Sequence, residues 1–351
     1  MAGIKSHFVP QFYLKNFGET FFHFDKKKDN KRKVNSKTVA HGSDFYGPVI
    51  NGGHPLEALF SKIEGKANLA IKELIEKKDP TIISNTNFKN LCDFLALQYV
   101  RTQNMRIQID DAIGYVIREM FSMDHPDIDK ELIKDISLTE EYVLKLHFKA
   151  LTDYPNLGQA INRMKFITII NKTKFPFWTS DNPISLFNSI DYSPYSGLGI
   201  IVEGIEIHFP INPTISLVVC DPKKFKNLPN TLTFHNDYEI LRENWLQVNS
   251  STRFLYSNMD RFYQIKKLLD EKKKINPKET KNTKKVISGK KLVKKQLKFW
   301  ADSKILKLLK ISENAKDRPP YVKPNVNSEY ILTGFKQIKS KYDPQIQTTQ
   351  F

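Results

Sequence analysis

KFITIINKTKFPFWTSDNP, residues 165–183, is where the pattern of this chain changes. Lys165–Asn171 and Phe175–Thr179 are short apolar and aromatic runs on either side of a polar turn, the signature of two strands. Upstream, from about residue 55 to 151, apolar residues recur at helical spacing. Downstream, Gly204–Phe209 alternates and reads as a half-buried strand. Thr214–Cys220 is a strongly apolar run and reads as a central one. Asp237–Ser250 is helical, Phe254–Tyr256 extended, and a last helix is expected over about Met259–Lys273. Helices and strands in separate blocks predict an α+β fold. A helical layer, about 55–150, should pack on a mixed or antiparallel sheet, about 165–256, with N-terminal strands joining it.

The helical block has three parts. The first helix runs from Pro55 to about Lys78 on a stripe of Leu56, Phe60, Ile63, Ala67, Ile71 and Leu74, and Pro80 ends it. The second begins after Ser84, with Asn85 or Thr86 as its cap, and runs to about Phe121 with a break; its stripe is Phe88, Leu91, Leu95, Tyr99 and Met105. The third spans about Asp127–Leu151. Before them, His7–Phe24 reads as short extended pieces with a turn at Gly18, and Lys26–Lys37 as a hairpin loop or an arm.

With 351 residues, 40% hydrophobic and 24 Phe, the composition excludes a wholly disordered chain. No apolar run approaches the roughly 18 residues of a membrane span, and the opening lacks a secretory apolar stretch. Cys92 and Cys220 sit in apolar surroundings, which excludes a disulfide scaffold and predicts a cytoplasmic setting. The net charge of +17 is local. Residues 271–310 carry 15 Lys against Glu271, Glu279 and Asp302, and residues 26–33 carry six bases against Asp29. The rest of the chain is neutral in sum. This predicts a balanced core, 1–270, with a basic, partly helical extension, 271–351, whose residues 292–311 form a basic amphipathic helix. Such segments attract polyanions, RNA ahead of DNA, with a membrane surface or plain solvation as the other readings.

The usual phosphate-loop, dinucleotide, serine-hydrolase and zinc-protease motifs are absent. Polar residues in apolar places remain. Glu64, with Glu57 earlier on the same helix, falls beside the buried stripe, so its carboxylate must be paired or line a cleft. Gln98, Arg101, Thr102 and Met105 share one helical face; the guanidinium suits a phosphate, a carboxylate or an ion pair with Glu64. Ser180-Asp181-Asn182-Pro183 presents short polar side chains at a strand end, as a site or as a capped turn. Gln247-Val-Asn249 with Arg253 marks a weaker candidate at a helix end.

His7-Phe-Val-Pro10-Gln11-Phe-Tyr-Leu14-Lys-Asn-Phe17 resembles the opening of a bacterial family of unknown function, number 4238 in the domain-of-unknown-function series. Leu97-Gln98-x-x-Arg101-Thr102 is similar to its Gln-x-x-Arg-Thr-Pro element, with Gln103 in place of the proline. Thr179–Pro183 and Phe209–Pro213 resemble two further elements, and the likeness covers roughly 5–260. It implies a setting among anti-phage defence genes. It also implies that His7, Gln11, Glu64, Gln98, Arg101, Asp181 and Asn182 come together.

The favoured expectation is a nuclease-like effector cleaving RNA. Glu64 and Asp181 would act as base or as Mg²⁺ ligands, His7 as acid, and Arg101 on the phosphate. Gln11, Gln98, Asn182 and Asn249 would bind substrate. A non-catalytic sensor of a phage component or nucleic acid is the first alternative, and a nucleotide or NAD hydrolase the second.

Overall fold

The structure is a computed structural model and describes residues 5–43, 45–46, 55–124, 140–188, 199–263 and 265. Its fold is α+β. The helices are α1 (Gln11–Leu14), α2 (Pro55–Lys77), α3 (Asn85–Val100), α4 (Gln103–Asp124), α5 (Glu140–Thr152), α6 (Tyr154–Ile161) and α7 (Asp237–Ser250). The strands are β1 (Lys5–His7), β2 (Thr20–Asp25), β3 (Asn30–Asn35), β4 (His41–Ser43), β5 (Lys165–Asn171), β6 (Thr179–Ser180), β7 (Ser185–Asn188), β8 (Ile205–Asn212), β9 (Ile215–Cys220), β10 (Thr231–Phe234) and β11 (Phe254–Ser257).

The strands form three sheets. Five lie in the order β10-β5-β9-β8-β7, four in the order β3-β2-β11-β6, and β1 pairs with β4 alone. Among the described strands only β10 with β5 is parallel, so the large sheet is mixed. The N-terminal strands do join strands of the second half, but in a sheet of their own: β2 pairs with β11, Tyr256 opposite His23.

Strand alternation sorts the core into two. Ile205, Ile207 and Phe209 of β8, with Leu217 and Val219 of β9, face the helical layer, where Phe60, Ile71, Phe94 and Leu95 pack on them. Val218, Cys220, Ile167 and Ile169 point the other way, onto Trp245, Leu246 and Val248 of α7 and Leu255 of β11. Each fully buried Phe or Leu stabilises by about 1.5–3 kcal/mol, so both faces of the large sheet must be covered. β8 therefore differs from the half-buried strand its alternation predicts, because α7 covers its polar side.

The predicted break in the second helix falls at Arg101 and Thr102, between α3 and α4. Ser84, one residue before the expected caps, supplies the N-cap through Oγ to the Asn87 amide. Residues 125–139, where the third helix was expected to begin, lie outside the described residues, as do the 271–351 extension and most of the 259–273 helix. Phe175–Trp178 joins no ladder; Trp178 instead donates its amide to Asn244 Oδ1 of α7 at 2.7 Å.

Candidate functional site

A ribbon of two short strands is not stable alone. β1 and β4 are held because α3 and α2 grip them. Phe8 and Val9 donate their amides to Ala40 O, and Gln98 Nε2 donates to Phe8 O at 3.1 Å. Arg101, at the end of α3, makes the centre of the site. Its Nη1 donates to Glu64 Oε1 at 2.7 Å, its Nε to Tyr46 Oη at 3.0 Å and its Nη2 to His7 O at 2.5 Å. Tyr46 Oη also donates to His7 O. The guanidinium lies over the Phe60 ring, 4.9 Å from its centroid. Arg101 is 1% exposed. Burial works against its charge, but Tyr46 and Glu64 outweigh it and raise its pKa. Glu64 brings the pair to the surface, with 24% of its side chain exposed.

His7 is the half-buried edge of this cluster. Gln11 Nε2 lies 2.9 Å from His7 Nε2. An amide nitrogen can only donate, so the imidazole is the acceptor and neutral. Burial, then His41 and Arg101, lower its pKa to about 4. The β1–β4 register sets His41 opposite His7, ring centroids 5.3 Å apart and edge to face. Burial and Lys5 lower the His41 pKa as well.

Asn182 joins through the next residue of the break. Thr102 Oγ1 donates to Asn182 Oδ1 at 2.9 Å, and Asn182 Nδ2 donates to Ser250 O at the end of α7. Asp181 faces elsewhere. Its oxygens accept the backbone amides of Thr252, Arg253 and Phe254 at 2.7–2.9 Å, and it is 4% exposed. Burial raises its pKa against the pull of those amides. Its oxygens are taken up in starting β11, so a base or Mg²⁺ ligand at this position is not supported. Asn249 stands outside the network, with no partner for its amide nitrogen among the described residues. Five of the expected residues, His7, Gln11, Glu64, Gln98 and Arg101, thus meet, and Asn182 is tied to them. The phosphate-holding role expected of Arg101 does not fit a buried guanidinium committed to three acceptors; Arg101 positions His7.

Sequence reasoning missed His41 and Tyr46, which meet the cluster only through the pairing of β1 with β4. It also missed a second polar group on the far face of the sheet: Glu206, His208, Arg242 and Glu243, each 1–2% exposed. The signal was there in Glu206 and His208 alternating along β8, and in Arg242-Glu243 set among the apolar residues of α7. Among the described residues no group of three or more His, Cys, Asp or Glu is placed to hold a metal ion. None of their helices is long and apolar enough to cross a membrane.

The basic segment 26–33 is the β2–β3 hairpin. Lys26 Nζ donates to Val248 O and Ser251 O, which closes the end of α7. Lys31 pairs with Asp260. Lys27, Lys28, Arg32 and Lys33 are exposed. At the hairpin base, Arg253 donates to both Asp25 oxygens, at 3.0 and 2.6 Å.

A family model described as "Protein of unknown function (DUF4238)" matches residues 5–261. The chain belongs to the DUF4238 family. No curated protein and no solved structure matches it. The DUF4238 match runs from β1 through β11, so the Arg101 cluster, the basic hairpin and the buried group behind β8 all fall within it.

Proposed function

We propose that this DUF4238 protein is a bacterial defence effector that cleaves RNA, with its chemistry at His7 and His41. The observation that carries this reading is the pair itself: two partly buried imidazoles in edge contact, 5.3 Å between centroids, one of them neutral above about pH 4. A neutral imidazole can take the proton of a ribose 2′-hydroxyl once that hydroxyl displaces the Gln11 amide from His7 Nε2. The 2′-oxygen then attacks phosphorus and the 5′-oxygen leaves with a proton from the second imidazole. The products are a 2′,3′-cyclic phosphate and a 5′-hydroxyl. A phosphodiester seated at the pair favours the protonated form of the ring that must serve as acid. Gln11 fixes His7, Arg101 holds its backbone, and Lys27, Lys28, Arg32 and Lys33 draw the polyanion in.

The test is cleavage of labelled RNA, with and without EDTA, by the wild type and by His7→Ala and His41→Ala. The expected result is cleavage that either substitution lowers at least about 100-fold and that a 2′-deoxy nucleotide at the scissile position blocks. Tight RNA binding with no cleavage would overturn the enzyme in favour of a sensor. That second reading draws on the burial of Arg101 and Asp181, whose side chains hold the fold together.

A further inference from the structure

Between the far face of the five-stranded sheet and α7, four ionisable groups are buried together. Glu206 and His208 lie on β8, Arg242 and Glu243 on α7. His208 Nδ1 lies 2.9 Å from Glu243 Oε2, and His208 Nε2 lies 3.3 Å from Glu206 Oε2. Arg242 bridges the same carboxylates, Nη2 to Glu206 Oε2 at 3.3 Å and Nη1 to Glu243 Oε1 at 3.1 Å, with its guanidinium over Phe187. A carboxylate oxygen can only accept, so Nδ1, hydrogen-bonded to Glu243, carries a proton; Nε2 makes no hydrogen bond, but the Glu206 carboxylate 3.3 Å away favours a proton there as well. Two carboxylates, one guanidinium and an imidazolium make a buried group with no net charge. Removing the ring proton leaves a net negative charge in the core and a lone pair turned toward a carboxylate, which is costly.

We propose that His208, held as an imidazolium between Glu206 and Glu243, is a proton-dependent latch that fastens α7 to the five-stranded sheet and is released as pH rises. The flanking strands add no further charge at the ring. Ser185 of β7 and Val218 of β9 are its register partners. Cys220 lies opposite Glu206, its thiol pushed up by burial and by that carboxylate. Lys224, whose pKa burial lowers, acts on the Glu206 side together with Asp221 and Glu203. The two carboxylates outweigh burial and raise the His208 pKa above 6.5. For a raised pKa the stabilisation is complete below the unfolded value and is lost as pH climbs through the folded one.

What the latch fastens matters to the rest of the molecule. Asn244 of α7 holds Trp178 N and Pro176 O. Gln247 accepts from Ser180 Oγ and donates to Pro183 O and Ser185 Oγ. Ser250 O accepts from Asn182, which Thr102 links to Arg101. Release of α7 therefore loosens the 176–185 connection behind the candidate site. The inference does not depend on the RNA reading.

The test uses the full chain labelled with ¹⁵N, whose eight histidines are followed in long-range ¹H–¹⁵N spectra from about pH 6 to pH 10 while Tm is measured over the same range. One imidazole should carry protons on both nitrogens at pH 7 and lose one in step with a falling Tm. Glu243→Gln, which keeps the ring in place, should move that titration to lower pH; His208→Gln should remove the signal and flatten the alkaline limb of Tm. If no imidazole is doubly protonated at pH 7, the proposal is overturned, whether or not either variant folds. It is equally overturned if that ring titrates and Tm does not move.

Discussion

At the scale of single residues, two carboxylates that look alike in the sequence do different things. Glu64 neutralises a guanidinium that is 1% exposed while its own side chain is 24% exposed. Glu64→Gln leaves Arg101 charged with a weaker partner and should cost about 1–3 kcal/mol in urea unfolding, less than a wholly buried pair because solvent screens one side. Asp181 binds three backbone amides, so Asp181→Asn turns an amide group toward a donor. That should cost a similar amount, about 1–3 kcal/mol, with a matching fall in Tm. A loss of RNA cleavage in Asp181→Asn at full stability would instead place Asp181 in the chemistry. Periodicity put Gln98, Arg101 and Thr102 on one helical face; in the structure Gln98 and Arg101 both reach the β1 segment, while Thr102, past the end of α3, turns to Asn182. Periodicity could not say that Arg101 is sealed beneath β1, because that depends on a strand more than ninety positions earlier closing over it.

At the scale of elements, α3 and α6 approach closely. A Cβ built on Gly158 would stand 2.6 Å from Asp93 Oδ1 and 3.3 Å from its Cα. Gly158→Ala should turn the Asp93 carboxylate aside and press on the α3 backbone, at a cost of about 1 kcal/mol, read as a lowered urea midpoint at unchanged m-value. The long elements were legible: the stripes of α2 and α3, the apolar runs of β5 and β9, and the helix that became α7. Short ones were not. β7, β10 and α6 each have four to eight residues, too few for a period to declare itself, and they form because long elements beside them supply partners. β8 shows the other failure. Alternation identifies a face but not its cover, and Glu206 and His208, which a half-buried strand would offer to water, meet the charged side of α7 instead.

For the whole molecule, the histidines set opposite limits. Burial lowers His7, His23 and His147 to about 4. A depressed histidine favours the unfolded state's proton, so stability falls as pH drops from 6.5 toward 4. His208, raised, removes stability above 6.5. Tm should therefore be greatest near pH 6.5 and fall on both sides, which a pH series of thermal melts will show. Asp25, lowered to about 2 by Arg253, adds a further loss only below about pH 4, where carboxylates of ordinary pKa begin to take up protons.

The pairing of β2 with β11 has a consequence for synthesis. His23 faces Tyr256, so the N-terminal hairpin is made long before its neighbour exists. At about 5–20 residues per second, β2 waits on the order of 10–50 s with Phe21 and Phe24 uncovered. During that interval the lysines of β3, on the edge that has no partner strand among the described residues, keep nascent hairpins on neighbouring ribosomes from joining edge to edge.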